Sequence, residues 1–332
     1  MNKYIAVSIG DIDGIGIDIL LKLLVNNKLK KIVLFCNFKI IANYIKKNKY
    51  KIKLNKINKN NINTNFKNNF LNIYSYKSKS FEDNSIKSII FGHKECLNNN
   101  FIGLVTLPIN KDKIKKIRPN FIGHTEFIQK LEKKNYSNMI MFHNKIITSP
   151  ITTHIKLKLV SQKLKSDLLF NQILNLHTSL VKDFNIKKPK IIVSGINPHS
   201  GENGSIGNEE IKIIKPVIKK LKNLKLFISG PFSADSMLIR SNLKNFDCFV
   251  FMFHDQALIP FKYISKFSGV NYTGNLNVIR TSPDHGTAYD LKNSNEISNK
   301  SLINCFSLIR KIYNNRKEYE KSKKISKSKF FN

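Results

Sequence analysis

Short apolar runs alternate with longer amphipathic stretches along this chain, regularly enough to predict its elements. "YIAVSIG" (4–10), "KIVLFCN" (31–37), "FIGLVTLPI" (101–109), "MIMFHN" (139–144), "KIIVSGI" (190–196), "KLFISGPF" (225–232) and "CFVFMFH" (248–254) read as buried strands bounded by turn residues. Between them, "GIDILLKLLVNN" (16–27), "TEFIQKLEKK" (125–134) and "EEIKIIKPVIKKLKN" (209–223) place apolar residues at helical spacing. Strand–helix alternation of this kind predicts an α/β fold with a largely parallel sheet covered by helices. In such folds ligands bind at loops that follow the C-terminal ends of strands.

Two regions break the pattern. Residues 46–80 are low in complexity and rich in Lys and Asn, which predicts a loop-heavy excursion with at most short strands. From Arg316 onward, "RKEYEKSKKISKSKFFN" is a charged tail expected to fray. No internal repeat is visible.

At 332 residues the chain has room for one large or two ordinary domains, and 23 Phe supply core material despite an apolar fraction of 41%. No apolar run approaches the roughly 18 residues of a membrane span, and the N-terminus lacks a secretory h-region and cleavage site. Cys36, Cys96, Cys248 and Cys305 match no CxxC spacing, so a reduced, cytoplasmic setting is the simplest expectation. Lys and Arg total 57 against 22 acids, a formal net charge of +35. Clustered cations would point to a polyanion partner. These lysines are scattered through a chain biased toward Lys, Asn, Ile and Phe, and they lack interleaved aromatics. A nucleic acid is therefore not expected as the main partner.

Candidate chemistry lies in the polar loops. His124 ("FIGHTEF"), His154 ("SPITTHI"), His199 ("NPHSGENG"), His254 ("FMFHDQALIP") and His285 ("RTSPDHGTAYD") all fall at or near the ends of expected strands. His93, His143 and His177 read as structural or surface residues. Imidazole is the commonest metal ligand among side chains, so several histidines at strand ends raise the possibility of a shared metal site. His154, His199 and His254 are tens of residues apart, and only the fold can assemble them. Asp235 and Asp255 are placed to orient such ligands or, equally, to cap helices. "GDIDGIG" (10–16) follows the first strand and opens a helix, where backbone N–H groups can cradle a phosphate, yet its glycines do not fit G-x-G-x-x-G. Lys262 and Arg280 are candidate anion anchors, and Arg can grip phosphate with two parallel bonds.

Taken in order, "GDIDGIG", "GHTEF", "TSPITTH", "SGINPHSGENGSIGNEE", "GPFSADSM", "MFHDQALIPFKY" and "VNYTGNLNVIRTSPDHGTAYD" closely resemble the 4-hydroxythreonine-4-phosphate dehydrogenase family. The resemblance runs from residue 10 to about 290 and rests on several contiguous polar motifs. It implies the fold of the isocitrate and isopropylmalate dehydrogenases, two α/β/α domains flanking a cleft. Residues 1–124 with 284–320 would form the NAD-binding domain, 125–283 the metal, substrate and dimerisation domain, and 321–332 a charged tail. It further implies metal-dependent, NAD-linked (or NADP-linked) oxidation of 4-phosphooxy-L-threonine at the C3 hydroxyl. Decarboxylation to 3-amino-2-oxopropyl phosphate would follow, a step in pyridoxal 5′-phosphate biosynthesis.

By the same resemblance His154, His199 and His254 bind a divalent metal (zinc, magnesium or cobalt) in a site shared by the two subunits of a homodimer. His124, Thr125, Lys262, Asn271 and Arg280 contact substrate, while Asp235, Asp255 and Lys262 serve catalysis. Gly14, Gly16, His285, Gly286 and Thr287 meet the cofactor. Glycines around His199 would let backbone approach metal and substrate, and Pro198 would stiffen the turn. Ile12, Asp13 and Ile17 depart from the family pattern, as does "LKNSNEIS" (291–298), and both departures bear on the cofactor loops. A sister dehydrogenase of 4-phospho-threonate or -erythronate, and a basic non-enzymatic nucleic-acid binder, are the alternatives.

Overall fold

The computed structural model describes residues 3–62, 64–292 and 298–328. The chain divides into two compact units, Met1–Lys130 with Asn277–Arg310, and Leu131–Leu276 with Lys311–Asn332. The first unit contains β1 (Ile5–Ser8), β2 (Ile32–Cys36), β3 (Leu54–Ile57), β4 (Leu71–Ser75) and β5 (Leu104–Thr106). The second contains β6 (Asn138–His143), β7 (Ile146–Thr152), β8 (Lys190–Ser194), β9 (Phe227–Phe232), β10 (Cys248–Phe253) and β11 (Val270–Gly274). The last strand, β12 (Arg280–Pro283), belongs to the first unit.

Strands of the first unit run in the order β3-β4-β2-β1-β5-β12, every pair parallel. Parallel strands are covered on both faces, which explains why β1 and β2 are buried at every position and read as unbroken apolar runs. Helix Ile15–Val25 returns from β1 and is buried along most of its length. Even its Asp18 is buried, accepting hydrogen bonds from the hydroxyls of Tyr44 (2.7 Å) and Tyr50 (3.0 Å). Helix Phe81–Leu97 starts where Ser80 Oγ accepts from the backbone N–H of Asp83. The Lys- and Asn-rich excursion proves more ordered than expected: β3 and β4 form a parallel edge, with Asn55 Nδ2 donating to Asn72 Oδ1 between them.

In the second unit the order is β11-β6-β7-β10-β8-β9. The pairs β7–β10, β10–β8 and β8–β9 are parallel, while β6 is antiparallel to both β7 and β11. The antiparallel pair follows from chain length, because β6 ends at His143 and β7 starts at Ile146. A connection that short makes a hairpin and cannot make a crossover. The core beneath combines Met139, Met141, Phe249, Phe251 and Phe261 with Met237.

Two expectations need correction. The single helix expected over 209–223 is instead a wide π-type turn, Glu210–Ile214, followed by an α-helix, Lys215–Asn223. Pro216 has no N–H to give the turn before it, so the regular ladder cannot run through. The charged tail is not separate over its described part, 329–332 lying outside the described residues: 321–328 continue helix Lys300–Ser328, whose Lys300–Arg310 lies in the first unit and whose remainder lies in the second. Arg316 anchors its second part, donating from Nε to Asp183 Oδ1 (2.7 Å) and from Nη2 to Tyr272 Oη and the Leu276 carbonyl. Tyr272 Oη in turn donates to Asp183 Oδ2, so the buried charges are paired and saturated. No helix among the described residues is long and apolar enough to cross a membrane.

Candidate active-site residues

In the first unit, β1, β5 and β12 lie side by side with Ala6 opposite Leu104 and Leu104 opposite Arg280. Their C-terminal ends therefore form one edge, and the loops that follow carry the residues assigned to a cofactor. Gly10 has φ +68°, and a Cβ there would stand 2.5 Å from the Pro108 carbonyl oxygen, so only glycine fits. Gly14 packs against Thr287, where a Cβ would lie 3.1 Å from the carbonyl oxygen. The same oxygen accepts from the backbone N–H of Ile15 at 3.0 Å, which joins the Gly-rich loop to the loop after β12. Gly16 abuts Pro108, whereas a side chain on Gly286 would meet nothing within 4 Å. His285 Nδ1 lies 3.0 Å from the Gly286 carbonyl oxygen and donates to it in the matching tautomer.

Asp13, a departure in the sequence, proves useful. Lys113 Nζ lies 2.9 Å from Asp13 Oδ2 and 3.3 Å from Asp11 Oδ2, and these partners raise the lysine pKa, with the Asp13 hydrogen bond the largest cause. Tyr289 Oη donates to Asp11 Oδ2 (2.6 Å) and accepts from Asn110 Nδ2. The loop is held by this network even with Ile12 and Asp13 in place. Residues 293–297 of the second departure lie outside the described residues.

Arg280 opens β12 and is 1% exposed. Its Nε and Nη2 donate to Thr106 Oγ1 at 2.9 and 2.6 Å, and Nη1 donates to Thr125 Oγ1 at 3.4 Å. Burial lowers its pKa to about 10, while Cys305 and Glu126 act the other way, so a full positive charge remains at neutral pH. Beside it, Nε2 of His124 is buried with no hydrogen-bond partner among the described residues. Burial, then the charges of Arg280 and Lys111, push the His124 pKa well below its ordinary value. His124 and Thr125 are the first two residues of helix His124–Leu131. A buried cation beside a neutral imidazole with an unmatched nitrogen is suited to an anionic, hydroxyl-bearing ligand.

In the second unit, β7, β10, β8 and β9 are neighbours in that order, and the registers Thr152–Phe253 and Ser194–Phe232 align their ends. His154 lies two residues beyond β7, His254 one beyond β10, His199 five beyond β8 and Asp235 three beyond β9. The rings of His154 and His254 have centroids 5.8 Å apart at 41°. His254 Nδ1 is 2.7 Å from Asp255 Oδ1, so in the tautomer that donates from Nδ1–H to this carboxylate, Nε2 carries the lone pair.

His199 sits in the turn Pro198–Gly204, whose residues His199 (φ 49°), Ser200 (φ 55°), Gly201 (φ 80°), Glu202 (φ 41°) and Asn203 (φ 54°) are all left-handed. Four of the five are not glycine, and each such residue costs roughly 1–2 kcal/mol that its surroundings must offset. Three imidazoles suit a transition metal in kind. Within one chain they do not close: among the described residues no group of three His, Cys, Asp or Glu is gathered to hold a metal ion. His154 and His254 face each other, and His199 stands on its own turn at the same row of strand ends.

Lys262 lies two turns down the helix that His254 begins, with Nζ 5.5 Å from the Phe267 ring centroid. Asn271 is the second residue of β11 and pairs with Met141 of β6, which pairs with Thr148 of β7. Its Oδ1 is buried with no hydrogen-bond partner among the described residues. Sequence reasoning missed Thr106, Asp11, Glu210 and Gln256. Glu210 closes the Gly-rich stretch, but its role depends on backbone groups that only the folded turn brings to it.

A family model for the pyridoxal phosphate biosynthetic protein PdxA matches residues 28–309. The chain is 37% identical over 322 residues to 4-hydroxythreonine-4-phosphate dehydrogenase of Wigglesworthia glossinidia brevipalpis, covering 91% of this chain and 95% of that relative. It is 34% identical over 303 residues to the protein of the same name from Sulfurihydrogenibium sp. strain YO3AOP1, covering 88% and 92%. The crystal structure of 4-hydroxythreonine-4-phosphate dehydrogenase from Klebsiella pneumoniae superposes with a TM-score of 0.82 at 27% identity, covering 94% of this chain and 98% of that one.

Proposed function

Because this chain belongs to the family of the pyridoxal phosphate biosynthetic protein PdxA, we propose that it is a 4-hydroxythreonine-4-phosphate dehydrogenase. It oxidises the C3 hydroxyl of 4-phosphooxy-L-threonine with NAD⁺ as hydride acceptor. The resulting β-keto acid loses CO₂ and leaves 3-amino-2-oxopropyl phosphate. The observation that carries this reading is the row of strand ends in the second unit, where four adjacent parallel strands deliver His154, His254, His199 and Asp235.

Each residue has a role in this reading. Gly14, Gly16, His285, Gly286 and Thr287 would receive NAD⁺ along the joined loops of the first unit. Arg280 would hold an anionic group of the substrate through a guanidinium already fixed by Thr106 and Thr125. His124 would use its unmatched Nε2 toward a substrate polar group. In the second unit Lys262 and Asn271 are further substrate ligands, and Asp235 and Lys262 are the candidates for proton transfer.

His154, His199 and His254 would hold a divalent ion, and three imidazoles favour zinc or cobalt over magnesium. When bound, that ion supplies Lewis acidity for the oxidation and the decarboxylation. Asp255 fixes the tautomer of His254 for the purpose. Homodimerisation, with the site shared between subunits, is part of this reading. So is a cytoplasmic setting, supported by four free, buried cysteines.

The test is NADH formation from 4-phosphooxy-L-threonine and NAD⁺, before and after chelation and with Zn²⁺, Co²⁺ or Mg²⁺ restored. Activity abolished by the chelator and recovered with Zn²⁺ or Co²⁺ is the expected outcome. Folded protein that forms no NADH under any of these ions would overturn the reading.

A further inference from the structure

Glu210 is 1% exposed, yet among the described residues its hydrogen bonds come from no lysine, arginine or histidine. Its carboxylate instead grips backbone. Oε1 accepts from the N–H groups of Ile196 (2.8 Å) and Asn197 (2.9 Å), and Oε2 accepts from Asn197 Nδ2 (3.0 Å). The same oxygens occupy the space that side chains would need at Gly195 and Gly201: a Cβ on those glycines would stand 2.8 Å from Oε1 and 2.7 Å from Oε2. Gly195 and Gly201 flank His199, one before it and one within its left-handed turn. The turn is therefore wound around this carboxylate and touches it on both sides.

A second tie runs to the neighbouring loop. Gln256, in the first turn of the helix that His254 begins, donates from Nε2 to the Gly195 carbonyl (3.2 Å). Its Oε1 accepts from the Met252 N–H (3.0 Å) and lies 3.3 Å from Ser194 Oγ, which donates to it. The base of the His199 loop is thus fixed to the start of the His254 helix.

We propose that Glu210 is a positioning residue for His199, the template on which the left-handed turn is wound, and so sets metal affinity without touching the metal. The inference rests on the reading of His199 as a metal ligand. Removing the carboxylate frees the backbone N–H groups of Ile196 and Asn197, while Asn197 Nδ2 keeps its bond to Glu209 Oε2 (2.8 Å), so the turn loses its central support. His199 then samples other positions, and an ion must restore order when it binds.

The experiment is titration of the metal-free protein with Co²⁺, followed by its d–d absorption, in wild type, E210A, E210Q and H199A. Thermal melts of the apo forms run in parallel. E210A is expected to weaken Co²⁺ binding about 10- to 100-fold, the range for a residue that supports a ligand from outside. Its activity should recover at saturating Co²⁺, with KM for NAD⁺ unchanged. E210Q keeps one acceptor oxygen for the two backbone N–H groups but turns an amide toward Asn197 Nδ2, so it should fall between wild type and E210A. E210Q also carries the test if E210A does not fold. A folded variant that melts lower yet binds Co²⁺ like wild type would reduce Glu210 to a structural role and overturn the proposal. Wild-type Co²⁺ affinity in H199A would instead remove His199 as a ligand, and this inference with it.

Discussion

Nε2 of His124 is buried beside the guanidinium of Arg280, and burial is the first cause of a pKa held well below the usual imidazole value, ahead of the charges on Arg280 and Lys111. The folded protein therefore keeps this ring neutral where the unfolded chain takes up a proton, below about pH 6.5. Stability from this group is complete above that pH and is lost as pH falls below it, by up to about 1.4 kcal/mol one unit lower. Substituting His124→Gln should shrink the drop in melting temperature between about pH 7.5 and pH 5.5. The half-buried His143 and His177, also shifted downward by burial, titrate equally in both proteins and cancel. An identical drop in the variant would mean that the ring protonates in place. His124 and Arg280 were legible because each stands in a polar motif. Thr106 and Glu210 were not, since a threonine ending an apolar run and one glutamate among three acquire their partners only through the fold.

Among the elements, strands that read as unbroken apolar runs were legible, and strands built from polar residues were not. β7 carries Thr148, Ser149 and Thr152, all buried. Ser149 Oγ donates to the Met139 carbonyl and Thr152 Oγ1 to the Met252 carbonyl, so hydroxyls that look like loop chemistry are satisfied inside the sheet. β11 and β12 hide in the same way behind Asn271, Thr273, Arg280 and Thr281. Loop pairing was equally invisible, although both partners had been picked out: Gly14 and Thr287 stand far apart in sequence and meet as one edge. That edge makes a prediction for Gly14→Val. A Cβ there would already lie 3.1–3.3 Å from Thr287 atoms, so the branched side chain must push the two loops apart. KM for NAD⁺ should rise about tenfold, a 1.4 kcal/mol effect, while KM for 4-phosphooxy-L-threonine changes little. An unchanged KM for NAD⁺ would take these loops out of the cofactor site.

For the molecule as a whole, the sequence foretold the α/β class and the placement of His154, His199 and His254 at strand ends, but a charged C-terminal stretch hid a docked helix because one buried Arg316 decides its place. Net charge is the property left over. At +35 the folded chain repels itself more than the expanded one does, since folding brings like charges together. The repulsion has a local focus in the first unit, where Lys30, Lys31, Lys51, Lys53 and Lys67 line a cavity of about 630 Å³ with no acidic residue in its lining. Lys53 and Lys67 both lie over the Phe70 ring, at 5.9 and 5.5 Å from its centroid, which offsets only part of their mutual repulsion. Raising NaCl from about 20 to about 300 mM shortens the screening length from roughly 20 to roughly 6 Å. The first unfolding transition should then rise by about 2 °C or more. The triple substitution K31Q/K53Q/K67Q should melt higher than wild type at low salt and gain less from added NaCl. If the variant gained as much as wild type, the repulsion would be spread over the whole surface and the cavity would have no special share in it. If neither protein gained, the scattered lysines would already be far enough apart for water alone to screen them, and the basicity of this chain would carry no cost in stability.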